Sequence, residues 1–270
     1  MTSTLVRHRT DKASASSADA GTRARDWAEI QERMLVPLYE AVYERLEVGT
    51  GSRLLGLDCG SGLALLIAQA RGATVTGVDR DVDRLALARE RLAGNPSARL
   101  YDGDVGAAVE PGGAAYNLVT AFQPIGCSAG DGEELGRVLR DAVGLAERRS
   151  VVVLTGWGPP ERCATSGVLR VAGGPGGDRR PAHRDALEDV AARAGLNPDG
   201  SGRVACPFGY GDVESAVRGL LSTGLYDQAV RETDQAQVEK EIAEALHPYR
   251  RSDGTVWMPN VFRYLIARAR

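Results

Sequence analysis

The sequence predicts a single α/β domain with a mainly parallel sheet and helices on both of its faces. The strongest observation is a strand–turn–helix–strand unit over residues 53–79, whose second strand ends in Asp79. Strands and helices then keep alternating as far as residue 156, which is typical of parallel pairing through right-handed crossovers. At 270 residues the chain is long enough to bury one such core.

The individual elements follow from apolar runs and from helical spacing. Apolar residues recur at helical spacing over residues 26–46, with a break or kink at Pro37. Strands are expected near residues 53–58, 74–79, 98–101, 116–122 and 150–156, and helices near residues 62–71, 81–93 and 132–147. A helix near 183–194, a strand near 202–208, a helical stretch over 211–247 and a last strand near 256–268 complete the chain.

The turn after the first strand is the first candidate binding site. Gly60 and Gly62 let the backbone approach a ligand, and the Asp79 carboxylate at the end of the second strand can accept hydrogen bonds from ribose hydroxyls. A dinucleotide site would carry a third glycine at position 65, which is Leu65. The unit is therefore typical of a site for the adenosine half of a cofactor.

The stretch LLGLDCGSG over residues 54–62 resembles the first motif of the class I S-adenosylmethionine-dependent methyltransferases. The matching positions are Leu55, Leu57, Cys59, Gly60, Ser61 and Gly62. Asp79 falls at the ribose-binding position of that family, and Asp104 with Val105 falls at its adenine-binding position. The resemblance implies a Rossmann-like, seven-stranded, mostly parallel sheet with an antiparallel last strand, and S-adenosylmethionine as the cofactor.

Two residues depart from that first motif. The acidic residue of the family falls on Gly56, and its first glycine falls on Asp58. Because strand side chains alternate, positions 56 and 58 are expected to face the same side, so Asp58 would replace the missing acid and meet the cofactor's ammonium group. The alternative is that Asp58 binds loop amides and that cofactor affinity is weakened or lost.

The resemblance implies a set of cofactor-binding residues at the carboxyl ends of the strands, where parallel sheets bind their ligands. The set is Asp58, Cys59, Gly60, Ser61, Gly62, Asp79, Arg80, Asp104, Val105 and Phe122. The Asp104 side chain would meet the adenine amino group and the Val105 amide a ring nitrogen. Asp104 alternatively forms the turn after the third strand.

The end of the fourth strand, Phe122-Gln123-Pro124, lies over the transferable methyl group in the resembling family. It lacks the Asn/Asp-Pro-Pro-aromatic sequence of DNA and protein amide N-methyltransferases, which argues against those substrates. Gln123 either contacts the substrate or ends the strand. The expected acceptor is a small molecule.

His247 is the candidate general base, and an exposed or capping histidine is the alternative. His8 falls in the polar N-terminal tail, and His183 precedes a helix. The aromatic residues Tyr39, Tyr43, Trp157, Tyr210 and Trp257 are candidates for acceptor contacts or for the core. No grouping of His, Asp and Glu in the sequence predicts a metal site.

The expected organisation is a disordered tail over residues 1–25 followed by one domain over residues 26–270. Residues 26–48 form a helical segment that covers the cofactor pocket, as the resemblance implies, or that only caps the sheet. Residues 50–156 form the cofactor-binding core. The resemblance assigns residues 157–181 and 211–250 to a lid over the acceptor.

Composition excludes several function classes. The formal charge of -3 and the isoelectric point near 5.8 provide no basic surface for nucleic acid. No apolar run has the length of a membrane span, and no signal peptide is expected at the N-terminus. The four cysteines are widely spaced and favour a reducing cytoplasm. A homodimer is compatible with the sequence.

The predicted function is methyl transfer from S-adenosylmethionine to an O, N or C nucleophile of a small molecule, in a secondary-metabolite pathway. Two alternatives stay open at this point. The fold can bind the cofactor and act as a cyclase or as a non-catalytic partner subunit. It can also be a nicotinamide-dependent reductase.

Overall fold

The structure is a computed structural model that describes residues 19–109, 115–126, 130–173 and 185–269. The strands are β1 Arg53–Leu57, β2 Thr74–Asp79, β3 Ala98–Asp102, β4 Tyr116–Ile125, β5 Ala146–Trp157, β6 Asn197–Ala205, β7 Phe208–Tyr210, β8 Val256–Met258 and β9 Val261–Arg268. The helices are α1 Val36–Arg45, α2 Leu63–Ala70, α3 Val82–Arg91, α4 Asp131–Val143, α5 Thr165–Val168, α6 Ala186–Arg193, α7 Val213–Leu221, α8 Asp227–Glu232 and α9 Gln235–Ala245.

Seven strands form one sheet in the order β3-β2-β1-β4-β5-β9-β6. Strands β1 to β5 pair in parallel, whereas β9 runs antiparallel to both β5 and β6. The predicted seven-stranded sheet with an antiparallel last strand is therefore confirmed. The order reverses beside β1, so the carboxyl ends of β1 and β4 border the crevice where such sheets bind ligands.

Strand alternation divides the apolar side chains between the two faces of the sheet. Leu54 packs with the N-terminal helical segment, residues 19–45, and with the helices after β7. Its neighbour Leu55 packs on the other face against α4 and α6. Each face buries its own apolar cluster, as a doubly covered sheet requires.

Two of the predicted late strands are each divided in the structure. The stretch near 202–208 separates into β6 and β7, and the stretch near 256–268 separates into β8 and β9. Pro207 and Pro259 lie at the two breaks and have no N–H group to donate to a sheet ladder. Strands β7 and β8 pair with each other in a second, two-stranded sheet.

The N-terminal helical segment comprises residues 19–45 and ends in α1. Residues 19–25 are helical, so the prediction of a disordered tail is wrong for them; residues 1–18 lie outside the described part of the chain. The cause is a tertiary contact, because Arg23 donates two hydrogen bonds to Asp227 at 2.8 and 2.9 Å.

The N-terminal helical segment changes its hydrogen bonding in the middle. It forms a π-helix over Trp27–Gln31 and a 3-10 helix over Glu32–Leu35. Pro37 cannot donate to the carbonyl of Arg33, and the N–H of Val36 bonds to that carbonyl in its place. Such irregular turns are frequent at functional sites.

The two segments predicted as lids pack together. Val168 from α5, Leu220 from α7 and Ile242 from α9 belong to one buried apolar cluster, which Ile30 of the N-terminal helical segment also joins. Residues 174–181 of the first predicted lid lie outside the described part of the chain. None of the helices in the described part is long and apolar enough to cross a membrane.

Candidate functional site

The turn after β1, residues 58–62, contains three residues with left-handed backbone. Gly60 has a φ of 57° and Gly62 a φ of 78°, conformations that glycine adopts without strain. A methyl group on Gly62 would also lie 3.0 Å from the Cβ of Ala88, so α3 can pack directly on the turn. Both glycines of the Gly-x-Gly pattern are thus required by the backbone conformation of the turn, and Gly62 also by the packing of α3.

Asp58 lies beyond the strand and is itself left-handed. Strand β1 ends at Leu57, and Asp58 has a φ of 46°. The expectation that positions 56 and 58 share one face of a strand is therefore wrong, because strand alternation ends before Asp58. Asp58 nevertheless lines the pocket described below.

A side chain at position 56 would have to displace Leu65 in this structure. A methyl group on Gly56 would lie 2.9 Å from Cδ2 of Leu65, which is 1% exposed. Gly77, the register partner of Gly56 on β2, would place a methyl group 2.6 Å from Cδ1 of the same leucine. Leu65 thus fills the space that two neighbouring glycines leave open.

Asp79 holds the turn after β1. Its carboxylate accepts a hydrogen bond from the Gly60 amide at 2.6 Å and another from the Asp81 amide at 2.8 Å. Burial raises the pKa of Asp79, and the two amide hydrogen bonds oppose that shift. Each carboxylate oxygen keeps a further lone pair that can accept a ligand hydroxyl.

Arg80 and Asp104 form an ion pair at the neighbouring strand ends. The Arg80 Nε donates to Asp104 at 2.6 Å, and its Nη1 donates to Glu134 at 3.0 Å. All three side chains are exposed. Val105, which is buried, begins a 3-10 turn directly after Asp104. The structure therefore brings together the predicted adenine-binding pair and Arg80.

A narrow pocket lies between the N-terminal helical segment, the turn after β1 and the end of β4. Its lining includes Trp27, Glu32, Tyr39, Asp58, Gly60 and Phe122. Its volume is about 20 Å³, which is enough for about one water molecule. Any larger ligand must therefore widen the pocket when it binds.

The aromatic residues on the α1 side of this pocket have different roles. Phe122 packs against Tyr39 with ring centroids 4.8 Å apart, and both residues line the pocket. Tyr43 also contacts Phe122, but it is fully buried and donates its hydroxyl to the Ala64 carbonyl at 3.0 Å. Tyr43 is a core residue, whereas Tyr39 and Phe122 can contact a ligand.

Glu32 is a site residue that sequence reasoning missed. It is 2% exposed, and its carboxylate accepts hydrogen bonds from the Ser61 hydroxyl and from Arg91 Nη1, the latter at 2.9 Å. These partners lie 29 and 59 residues further along the chain, so no local pattern marks this glutamate.

Trp27 is the second residue that was missed. Its ring is 5% exposed, and the Arg84 guanidinium lies over it at 4.2 Å from the ring centroid. The buried Nε1–H has no hydrogen-bond partner among the described residues. In the sequence this tryptophan is one of the apolar residues at helical spacing over residues 26–46, and spacing alone cannot show an unpaired donor.

Burial disfavours the thiolate form of the cysteines in the described part. Burial, and then the charges of Asp79 and Glu32, raise the pKa of the Cys59 thiol. Cys163 and Cys206 are buried, and Cys127 lies outside the described residues. Within the described ranges no cluster of three or more His, Cys, Asp or Glu residues could hold a metal ion.

His247, the sequence-predicted base, lies in a different place. It is exposed in a 3-10 turn and lines a surface groove with Asp212 and Arg250, whereas the pocket at Gly60 is lined by other residues. We assign it no role in the chemistry. His8 and His183 lie outside the described residues.

The other aromatic candidates also lie apart from the pocket lining. Trp157 packs against Phe208 and Phe262, and Tyr210 donates its buried hydroxyl to Gln31 at 3.0 Å. Trp257 is 41% exposed, and the Arg251 guanidinium lies over its ring. Gln123, by contrast, lies at the end of β4 in the lining of the pocket.

Sequence comparison adds no relative, since no protein-family model and no curated protein matches the chain. Structure comparison finds many similar folds. The YcgJ protein from Bacillus subtilis superposes with a TM-score of 0.56 at 13% identity, over 86% of this chain and 97% of that one.

Two further similar structures are informative. A methyltransferase from Geobacter sulfurreducens that depends on S-adenosylmethionine, solved in complex with S-adenosyl-L-homocysteine, has a TM-score of 0.51 at 15% identity, over 89% of this chain and 92% of that one. The [4+2]-cyclase SpnF has a TM-score of 0.52 at 16% identity, over 86% of this chain and 79% of that one. The chain therefore has the Rossmann-like fold of the class I S-adenosylmethionine-dependent methyltransferases.

Proposed function

We propose that this protein binds S-adenosylmethionine at the carboxyl ends of β1 to β4 and transfers its methyl group to a small molecule. The observation that carries the proposal is the turn after β1. Its left-handed Gly60 borders the pocket, and Asp79 holds the amide of that glycine from the end of the next strand. A turn so placed lets the backbone approach the sugar and sulfur of an adenosine cofactor.

The residues at the site fit this cofactor. Asp79 keeps lone pairs for ribose hydroxyls, and the exposed Asp104 with the following Val105 would receive the adenine. Trp27 provides a buried, unpaired N–H donor in the lining of the pocket. Arg80 holds the Asp104 carboxylate in place from the neighbouring strand end.

When bound, S-adenosylmethionine supplies an electrophilic methyl group on a cationic sulfur. The chain's own residues would orient the acceptor and exclude water, which is the main contribution to such displacements. Phe122 and Tyr39 form the aromatic wall of the pocket. The helices around α5 and α7 to α9 would cover the acceptor as a lid. A cytoplasmic location and a role in secondary metabolism belong to the same proposal.

Calorimetric titration with S-adenosylmethionine, S-adenosylhomocysteine and NADH tests the cofactor. We expect micromolar binding of the first two ligands and none of NADH. The order of affinities would be reversed for a nicotinamide-dependent reductase. Binding of none of the three would overturn the proposal, since the turn after β1 would then have a structural role alone.

Cofactor affinity is expected to depend on pH through Asp58. Loss of hydration, followed by the negative charge of Asp79, raises the pKa of Asp58 to about 6. The positive charge of the cofactor favours the ionised form of Asp58. Below a pH of about 6, Asp58 must therefore lose a proton when the cofactor binds. The dissociation constant of S-adenosylmethionine should therefore rise by up to about tenfold per pH unit as the pH falls below the pKa.

Titrations from about pH 5 to about pH 8 measure this dependence. S-adenosylhomocysteine lacks the sulfonium charge and should show a weaker dependence. Asp58→Asn should flatten the profile of S-adenosylmethionine and bind it more weakly at the upper end of the range. A flat profile in the parent protein would show that Asp58 does not sense the cofactor's charge.

A cyclase with the same fold is the second candidate. Among the titratable groups of the pocket, burial raises the pKa of Tyr39 and of Cys59, so neither is a ready base near neutral pH, and Asp58, with a pKa of about 6, is assigned to the cofactor in this proposal. SpnF has a similar fold and is described as a [4+2]-cyclase. Formation of S-adenosylhomocysteine during turnover with an extract that contains the substrate supports methyl transfer, and its absence while product forms supports the cyclase.

A further inference from the structure

We propose that Glu32 and Trp27 of the N-terminal helical segment bind the α-amino-acid head group of the cofactor. In this assignment Glu32 accepts hydrogen bonds from the ammonium group, and the Trp27 Nε1–H donates to the carboxylate. The inference rests on the proposed function and names the residues that recognise one end of the cofactor. It places the acid absent from position 56 on a different element of the fold.

Both side chains meet at one point of the pocket. A methyl group placed on Gly60 would lie 3.1 Å from Glu32 Oε1 and 3.2 Å from Trp27 Nε1. An acceptor of negative charge and a donor therefore border the same face of the turn. An α-amino acid carries the complementary pair, a cationic donor and an anionic acceptor on one carbon.

The unpaired indole N–H needs an explanation. Buried polar groups are nearly always hydrogen-bonded, and leaving one unpaired is costly. Trp27 is 5% exposed, and stacking of Arg84 on its face holds the ring in place. Because Trp27 lines the pocket and its Nε1 lies beside Gly60, a ligand acceptor at Gly60 would satisfy this donor.

Glu32 is arranged to offer one oxygen to the pocket. Its Oε2 accepts from Ser61 and from Arg91, which compensates the buried charge. Its Oε1 accepts a long hydrogen bond of 3.4 Å from the Leu63 amide and borders Gly60. That oxygen keeps lone pairs for a donor from the ligand.

The other positions near the turn after β1 that could supply an acid are less suited to the Gly60 face of the pocket than Glu32. Leu65 fills the space beside Gly56, and the carboxylate of Asp79 is engaged by the amides of Gly60 and Asp81. Asp58 also lines the pocket, but it follows the end of β1 with left-handed backbone and is more exposed than Glu32. Glu32 is thus the buried acid at the Gly60 face.

The test compares two ligands that differ in the head group. S-adenosylhomocysteine carries the amino acid, whereas 5′-deoxy-5′-methylthioadenosine retains the adenosine and sulfur without it. Calorimetry with Glu32→Gln should show S-adenosylhomocysteine bound about tenfold or more weakly, because a charge-assisted hydrogen bond is lost. Affinity for the truncated ligand should stay at the parent value.

Trp27→Phe tests the donor separately. It retains an aromatic ring under Arg84 and removes one unpaired N–H, so the ligand-free protein should melt at the same or a higher temperature. Binding of S-adenosylhomocysteine should nevertheless weaken severalfold, with the truncated ligand unaffected. Glu40→Gln is the matched control, since Glu40 lies on α1 and pairs with Arg71 at the surface.

The possible results separate this inference from the proposed function. If the parent binds neither ligand, both are overturned. If the parent binds S-adenosylhomocysteine and the two site variants bind it equally well, or lose both ligands in parallel, the inference alone is overturned. Should Glu32→Gln fail to fold by circular dichroism, the result with Trp27→Phe decides.

Discussion

Asp79→Ala is expected to abolish measurable cofactor binding and to destabilise the fold by roughly 3 kcal/mol or more, since hydrogen bonds to a charged group contribute about 1.5–3 kcal/mol each. The carboxylate accepts from the amides of Gly60 and Asp81, and the variant leaves both without that partner. The turn after β1 would lose its anchor to β2, and the ribose its acceptor. Denaturant unfolding and calorimetry with S-adenosylhomocysteine measure the two effects.

Asp81→Ala is the matched control for this experiment. Asp81 lies two residues further on and caps α3, where its side chain accepts from the amides of Asp83 and Arg84. Loss of a helix cap costs about 1 kcal/mol, and binding should persist. A folded Asp79→Ala protein with the parent's dissociation constant would contradict the role assigned to Asp79.

The strand–turn–helix–strand unit could be predicted because its signals are local. Gly60 and Gly62 are required by backbone conformation, and the position of Asp79 follows from the length of β2. The same signals did not show that Asp79 holds the Gly60 amide, because that contact joins residues 19 positions apart. The predicted ribose-binding residue therefore also has a structural function.

Contacts across the sequence explain what could not be predicted. Glu32 and Trp27 looked like ordinary helical positions, and their significance depends on partners in the turn after β1 and on α3. The pleat argument for Asp58 was wrong because one left-handed residue ends strand alternation. His247 follows α9, and sequence alone could not show that its side chain lines a different groove.

Gly56→Asp, which restores the acid of the resembling family, is expected to destabilise the protein by roughly 3–5 kcal/mol. Overpacking a core costs about 1–3 kcal/mol, and a buried polar group without a partner costs a similar amount. The new Cβ would lie 2.9 Å from Leu65 Cδ2 on a strand buried in the sheet. Gly56→Ala separates the two terms, because it keeps the steric conflict and omits the charge.

Combining Gly56→Asp with Leu65→Ala should recover part of that loss. Leu65→Ala alone costs about 2–5 kcal/mol through the space it leaves, and the new side chain at position 56 would occupy some of that space. A double-mutant cycle by denaturant unfolding should give a favourable coupling of about 1–3 kcal/mol. Simple additivity would contradict the packing of Leu65 against Gly56.

The variant that combines Gly56→Asp with Leu65→Ala also tests which element supplies the acid for the cofactor's ammonium group. If Glu32 has replaced the acid of position 56, the two carboxylates serve the same ammonium group from different elements. Adding Glu32→Gln to the double variant should then cost less affinity for S-adenosylhomocysteine than Glu32→Gln costs in the parent. An equal loss in both backgrounds would mean that an acid at position 56 does not reach the head group. Leu65 beside Gly56 and Glu32 beside Ser61 are therefore expected to be coupled in head-group binding, although the structure places them in contact with different elements.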